Sequence, residues 1–211
     1  MFDTDYLSKE IEKHLTGKRL EHSLSVKDEC EALADMFGVT GEDRMRLLSA
    51  AVLHDITKEI KGKAQPELLR ALGVEVTPEQ LASPKTLHAI SGAAFALKEY
   101  PDQIDAECAR LIRSHTTGRV GMTLCEKLLY LADYIEPLRT WDDCRKLRKD
   151  FYSGARKCSG TGQLMRHLDD IIIESYDMTI SELISSGGVI ASETVASRND
   201  LIIARNSQNE L

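Results

Sequence analysis

The stretch AAVLHDITK, residues 50–58, constrains the fold most: an apolar helix runs into a histidine, an aspartate and, three residues on, a lysine. Leu47, Leu48, Ala51 and Val52 follow the i, i+3, i+4 spacing of a buried helical face, and His54 and Asp55 continue its edge. A buried carboxylate is costly without a cation. Neutral imidazole and carboxylate together suit a divalent transition metal, with geometry deciding which one. Lys58 lies four residues after His54 and projects from the same side if the helical turn persists to Gly62. An ammonium beside a metal implies an anionic substrate. A hydrogen-bonded core pair, with Lys58 solvated, accounts for the same residues, so the rest of the chain must decide.

That rest reads as helix after helix, stopped by glycine and proline, with few alternating β-branched runs to compete. The expected fold class is all-α. The spacing predicts an opening helix from about Asp5 to Leu15 and a second one running to Gly38, where a helix C-terminus favours glycine. On the second, Val26, Cys30, Leu33 and Phe37 form an apolar stripe; His22 lies one turn upstream on the same face and Arg19 one turn before that. A histidine so placed is a core residue or a ligand. Pro66 and Gly73 bracket a short helix, and Thr77-Pro78 and Ser83-Pro84 are start signals for two more. The longer of these carries His88 and stops before Pro101. Gly92, one turn after His88, costs about 1 kcal/mol of helix propensity relative to alanine, which a close approach by another backbone or a ligand would explain.

A helix from about Asp102 places Ile104, Cys108 and Leu111 on one face, with His115 at its end. Thr116, Thr117 and Gly118 then form a polar turn able to meet an anion. In MTLCEKLLYLADYIEP, residues 122–137, Asp133 sits in an apolar stripe that Pro137 ends. That carboxylate needs a metal, Arg139 or Lys127 as partner. Trp141 either stacks on a purine or packs. Leu164, Leu168, Ile171 and Ile172 start a helix that continues to Gly187-Gly188; Ser192-Glu193 opens a last one, and residues 204–211 are expected to fray.

Composition narrows the classes. With 211 residues, 42% hydrophobic, the chain fits one soluble globular domain with a sizeable core. A net charge of −7 argues against a general nucleic-acid binder, so any phosphate must be met locally. Five widely spaced cysteines with no C-x-x-C pair read as reduced thiols. No basic-then-apolar segment opens the chain and no apolar run approaches the roughly 20 residues of a membrane span, so a cytoplasmic location is expected.

Taken together, a histidine, a His-Asp pair and an aspartate on separate helices resemble the signature of the HD phosphohydrolase superfamily. KRLEHSLSV, LHDITK, LHAISGA, HTTGRVGMTLCEKLLYLADYIEPLR and ETVASRNDL are similar, more narrowly, to the symmetrical bis(5'-nucleosyl)-tetraphosphatases of the YqeK type, over residues 18 to 204 or so. The resemblance implies an HD-domain helical bundle around a metal site: a single domain over 1–211, with a metal core at about 18–139 and covering C-terminal helices at about 163–203. It implies His22, His54, Asp55 and Asp133 as ligands of one divalent or trivalent transition metal, iron first, with manganese or cobalt as alternatives. It implies phosphate contacts from Arg19, Lys58, His88, His115, Thr116 and Arg139, with Arg198 of the ASRN stretch as a further candidate. Asp55, Lys58 and His88 are the expected catalytic groups. His88 and His115 could instead hold a second metal, but no additional carboxylate accompanies them, which favours phosphate contact.

The implied reaction cleaves diadenosine tetraphosphate into two ADP, in a protein with no nucleic-acid or membrane partner that could form a homodimer. Two departures from the family pattern matter: the ISGA sequence after His88, and a segment from Arg145 to Gln163, with Gly154, Gly160 and Gly162, that reads as a loop over the pocket. Rival readings are an HD enzyme acting on nucleoside monophosphates or guanosine tetraphosphate, and a nucleotide-binding module without turnover.

Overall fold

The computed structural model describes residues 2–209, which form helices joined by short turns, with no strand among them. Helix α1 (Thr4–Glu10) runs into one 3-10 turn, then α2 (Gly17–Phe37) and α3 (Gly41–Leu53) follow. Two short helices, α4 (Ala64–Ala71) and α5 (Pro78–Ala82), lead to α6 (Leu87–Glu99), α7 (Ala106–Ser114) and α8 (Leu124–Ile135). The C-terminal third holds α9 (Asp142–Ala155), α10 (Thr161–Ser186) and α11 (Ser192–Asn209). Local chemistry sets these limits. Thr77 and Thr123 form capping boxes with Gln80 and Glu126, and Gly38 ends α2 at φ 69°.

The buried stripes then pack on one another. Helix α2 meets α3 and α8, α3 meets α7, and α6 packs on α7. Val26, Cys30 and Leu33 of α2, Leu47, Ala51 and Val52 of α3, Ile112 of α7 and Leu128 and Leu129 of α8 are fully buried. Each large aliphatic among them contributes about 1.5–3 kcal/mol of burial. Helix α10 backs α8, α9 and α11 from outside this group. Among the described residues no helix is long and apolar enough to cross a membrane.

The structure differs from the sequence reading in four places. Helix α3 stops at Leu53, and residues 54–59 form tight turns closed by Ile56 to Leu53, Lys58 to Asp55 and Ile60 to Thr57 hydrogen bonds. The cause is local: the His54 ring Nδ1 takes the Ala51 carbonyl at 2.7 Å and competes with the next helical amide. Helix α7 begins at Ala106 rather than Asp102, because Asp105 caps it by accepting the Cys108 amide. Residues 145–155, expected as a pocket loop, are helix. Leu147 and Phe151 are fully buried there, and Gly154 is needed because a Cβ would lie 2.2 Å from the His167 ring. Residues 204–209 are helical rather than irregular: α11 reaches Asn209, with an Arg205–Asp170 ion pair beside it, and residues 210–211 lie outside the described residues.

Candidate metal centre

Three histidines reach one buried point because each has its other ring nitrogen occupied. His54 and His115 stand at the C-caps of α3 and α7, and their Nδ1 atoms donate to the carbonyls of Ala51 and Ile112, three residues back, at 2.7 and 2.6 Å. His22, on α2, donates Nδ1 to Glu136 Oε1 at 3.0 Å. An acceptor at Nδ1 fixes the proton there and leaves the Nε2 lone pair free to bind a cation. Glu136 is the residue sequence reasoning missed. It precedes Pro137, steps out of α8 with an extended backbone (φ −56°, ψ 149°), and also accepts the Ser25 hydroxyl and the Leu138 amide at 2.6 Å each. Its signal was present: Ser25 and Glu136 lie three residues after His22 and Asp133, on helix-adjacent positions.

The carboxylates close the group. His22 Nε2 lies 2.9 Å from Asp133 Oδ1 and 3.8 Å from Asp55 Oδ2; His54 Nε2 is 3.7 Å from both carboxylates. On its other side, Asp55 Oδ1 lies 3.2 Å from His88 Nε2 and 3.8 Å from His115 Nε2. His54 Nε2 is buried with no hydrogen-bond partner, and His22 Nε2 and Asp55 Oδ1 are buried with only Asp133 and His88 within reach. An orphaned buried polar atom costs about 1–3 kcal/mol, so an unpartnered imidazole nitrogen aimed at two carboxylates fits a cation, and an imidazole and carboxylate donor set fits a transition metal. The atoms form three overlapping groups within ion-binding reach: His22, His54 and Asp55; His54, His115 and Asp133; Asp55, His88 and His115. The carboxylate nearest His88 and His115 is that same Asp55, which turns its second oxygen toward them.

The electrostatics agree. Burial alone would pull the His22 imidazole down, but hydrogen bonds to Asp133 and Glu136 outweigh it and lift the group to about 9. A cation at Nε2 competes with that proton. Asp55 is held well below the usual carboxylate range: burial opposes this, but His54, the His88 hydrogen bond and Lys58 prevail. Asp133 is held down likewise against burial, chiefly by Arg139. Burial keeps His88 and His115 below their ordinary value, as ligands require.

Around this centre stand the expected phosphate contacts. Arg19 Nη1 meets Asp55 Oδ2 at 2.7 Å; Lys58 Nζ lies 2.9 Å from His88 Nε2 and 3.5 Å from Asp55. Thr116 Oγ1 is 3.1 Å from His115 Nε2, and Arg139 donates to the Asp133 carboxylate and carbonyl. So Asp133 has the ion-pair partner foreseen for it as well as its place in the cluster, while Lys127 pairs with Asp169. Lys58, Arg19 and Arg139 also line a cleft of about 890 Å³ with Lys18 and Lys61. Five cations thus meet in one cleft, beside Glu21, Glu59 and Glu136, in a chain whose net charge is −7. Arg198 is drawn elsewhere, to Asp177 on α10, and Thr117 turns to Glu193. The His-Asp turn is clamped to α6 by groups the sequence reading passed over. Thr57 Oγ1 donates to the His88 carbonyl, and Gln65 Nε2 donates to the Thr57 carbonyl. Gly92 is where α6 comes close: a Cβ there would meet Thr57 Oγ1 at 3.5 Å and the His54 carbonyl at 3.6 Å, room for a methyl and little more.

Known proteins resemble this chain. The HD domain family matches residues 19–138, more than half of the chain, and the chain belongs to that family. Within it, the chain groups with proteins named "Bis(5'-nucleosyl)-tetraphosphatase, symmetrical". The one from Halalkalibacterium halodurans is 31% identical over 92% of this chain and 94% of its own length; that from Bacillus subtilis is 35% identical over 66% and 72%. Among solved structures, a predicted HD superfamily hydrolase involved in NAD metabolism from Clostridium acetobutylicum superposes with a TM-score of 0.80 at 31% identity. It covers 97% of this chain and 99% of that one.

Glu136→Gln is expected to weaken metal binding about 10- to 100-fold, because an amide no longer fixes the His22 proton as firmly as a carboxylate does. Competition with a graded series of chelators measures this. Unchanged affinity would show that Glu136 does not position His22.

Proposed function

We propose that this protein is a metal-dependent hydrolase that cleaves diadenosine tetraphosphate symmetrically, releasing two ADP. The observation that carries the reading is a buried set of imidazoles and carboxylates within ion-binding reach of one another, next to a cleft lined by His22, Lys18, Arg19, Lys58, Lys61 and Arg139. The names carried by relatives that align over most of the chain support the substrate class. His22, His54, Asp55 and Asp133 would hold the ion, with iron as the expected metal and manganese or cobalt as alternatives. Asp55, His88 and His115 would be the residues to hold a second ion if one binds. Bound there, a cation supplies Lewis-acid chemistry, acidifying water toward neutral pH and neutralising phosphate charge.

The chain's own residues do the remaining work. Asp55 and His88 face the ion site and orient the attacking water; Lys58 and Arg139 stabilise charge on the equatorial and leaving oxygens, the larger part of phosphoryl-transfer catalysis. The water oxygen bonds to one central phosphorus as its proton passes to Asp55, the bridging P–O bond breaks, and the released ADP takes the electron pair. With no second ion on them, His88 or His115 is eligible to protonate it.

Chromatography of reactions with diadenosine tetraphosphate, after loading with Fe, Mn or Co, tests this. ADP as sole product is expected. AMP with ATP, preference for nucleoside monophosphates or guanosine tetraphosphate, or binding without turnover would each overturn it.

A further inference from the structure

Trp141, the sole tryptophan of the chain, lines the same cleft and has no part in the reaction as derived. It does not pack: 66% of it is exposed, although an indole is among the largest apolar surfaces a side chain offers. It sits at the N-cap of α9, and the Arg139 guanidinium lies 5.3 Å from its ring centroid. That guanidinium is also held by the Asp133 carbonyl and carboxylate. The loop carrying the ring is pinned as well, since Arg148 donates to the Arg139 carbonyl at 2.8 Å and Leu138 donates its amide to Glu136. An exposed aromatic face, fixed in place and separated from a metal-ligand carboxylate by one guanidinium, is suited to a planar group whose attached phosphates run toward cations.

We propose that Trp141 is the platform on which one nucleobase of the substrate stacks, with Arg139 linking base and phosphates. The inference rests on the nucleotide-hydrolase reading above and adds the subsite that reading leaves unassigned. Every base has a π face, so the platform selects for the presence of a base more than for its identity, purines gaining from larger overlap.

Because the chain has one tryptophan, its fluorescence reports the contact directly. Titration of the metal-loaded protein with ADP is expected to quench the emission saturably, whereas inorganic pyrophosphate leaves the emission unchanged and shifts the ADP curve to higher concentration. Trp141→Ala is expected to raise KM for diadenosine tetraphosphate about tenfold or more with kcat little altered, and Trp141→Phe to recover most of the loss. Emission unchanged by ADP at concentrations that inhibit turnover, or an unchanged KM in Trp141→Ala, overturns the proposal. Saturable quenching by ADP without any cleavage of the dinucleotide leaves the platform standing and removes the hydrolase reading. Cleavage without quenching does the reverse.

Discussion

Asp55→Ala is expected to lose metal and turnover together. Asp55 is the carboxylate that faces all four clustered histidines, His22 and His54 through one oxygen and His88 and His115 through the other. Without it the imidazoles keep their places but lack a shared anion, and Arg19 and Lys58 lose the charge they lean on. Metal content measured after purification should fall to background, and kcat/KM should drop by more than the roughly thousandfold that a single transition-state-stabilising group is worth. Asp55→Asn, which keeps the volume, should behave alike. Lys58→Ala separates the two roles: metal is retained while kcat falls about 10²–10³-fold. Stoichiometric metal in Asp55→Ala would mean the ion is held elsewhere.

The second large effect is on stability. Gly118, closing the turn after His115, has φ +67°, and a Cβ there would lie 1.8 Å from the Tyr176 hydroxyl and 2.9 Å from Ser197 Oγ. Tyr176 is fully buried, and the ring of Tyr130 stands 4.9 Å from its own. Retreat is therefore blocked. Gly118→Ala adds a left-handed backbone cost of about 1–2 kcal/mol to an overpacking cost of about 1–3 kcal/mol. For a chain of this size each kcal/mol lowers Tm by about 2–4 °C, so a fall of about 10 °C is expected in thermal unfolding followed by circular dichroism. A Tm within about 2 °C of the parent would show that Tyr176 moves aside freely.

These two residues also show what the sequence made legible. Asp55 and His54 could be placed because they extend an apolar stripe of helical period, and His22, His115 and Asp133 because each sits on a comparable stripe. Period alone gives the buried face. It does not give what lies across from that face, which is why Glu136 went unread: it stands just outside α8, before a proline, and its role depends on a helix more than 100 residues earlier in the chain. Gly118 was read for its turn chemistry, correctly located, but the hydroxyl that forbids a larger residue comes from α10. Gly154 misled for the same reason. Taken as the mark of a loop, it is a helical residue made small by the His167 ring. Arg198 matched a motif, yet its orientation is settled by Asp177, a partner no local pattern announces.

Arg148 has a reach that its position on α9 does not advertise. Its one guanidinium holds the carbonyls of Ile135, Glu136 and Arg139, so the outer wall of the cleft is tied to α9 as a single body. The seating of α9 against α10, where Phe151 stacks on the His167 ring, therefore reaches through Arg148 to that wall. Residues that never meet a substrate act here as the frame of a door, and drift in their packing resizes the entrance without altering a single group inside.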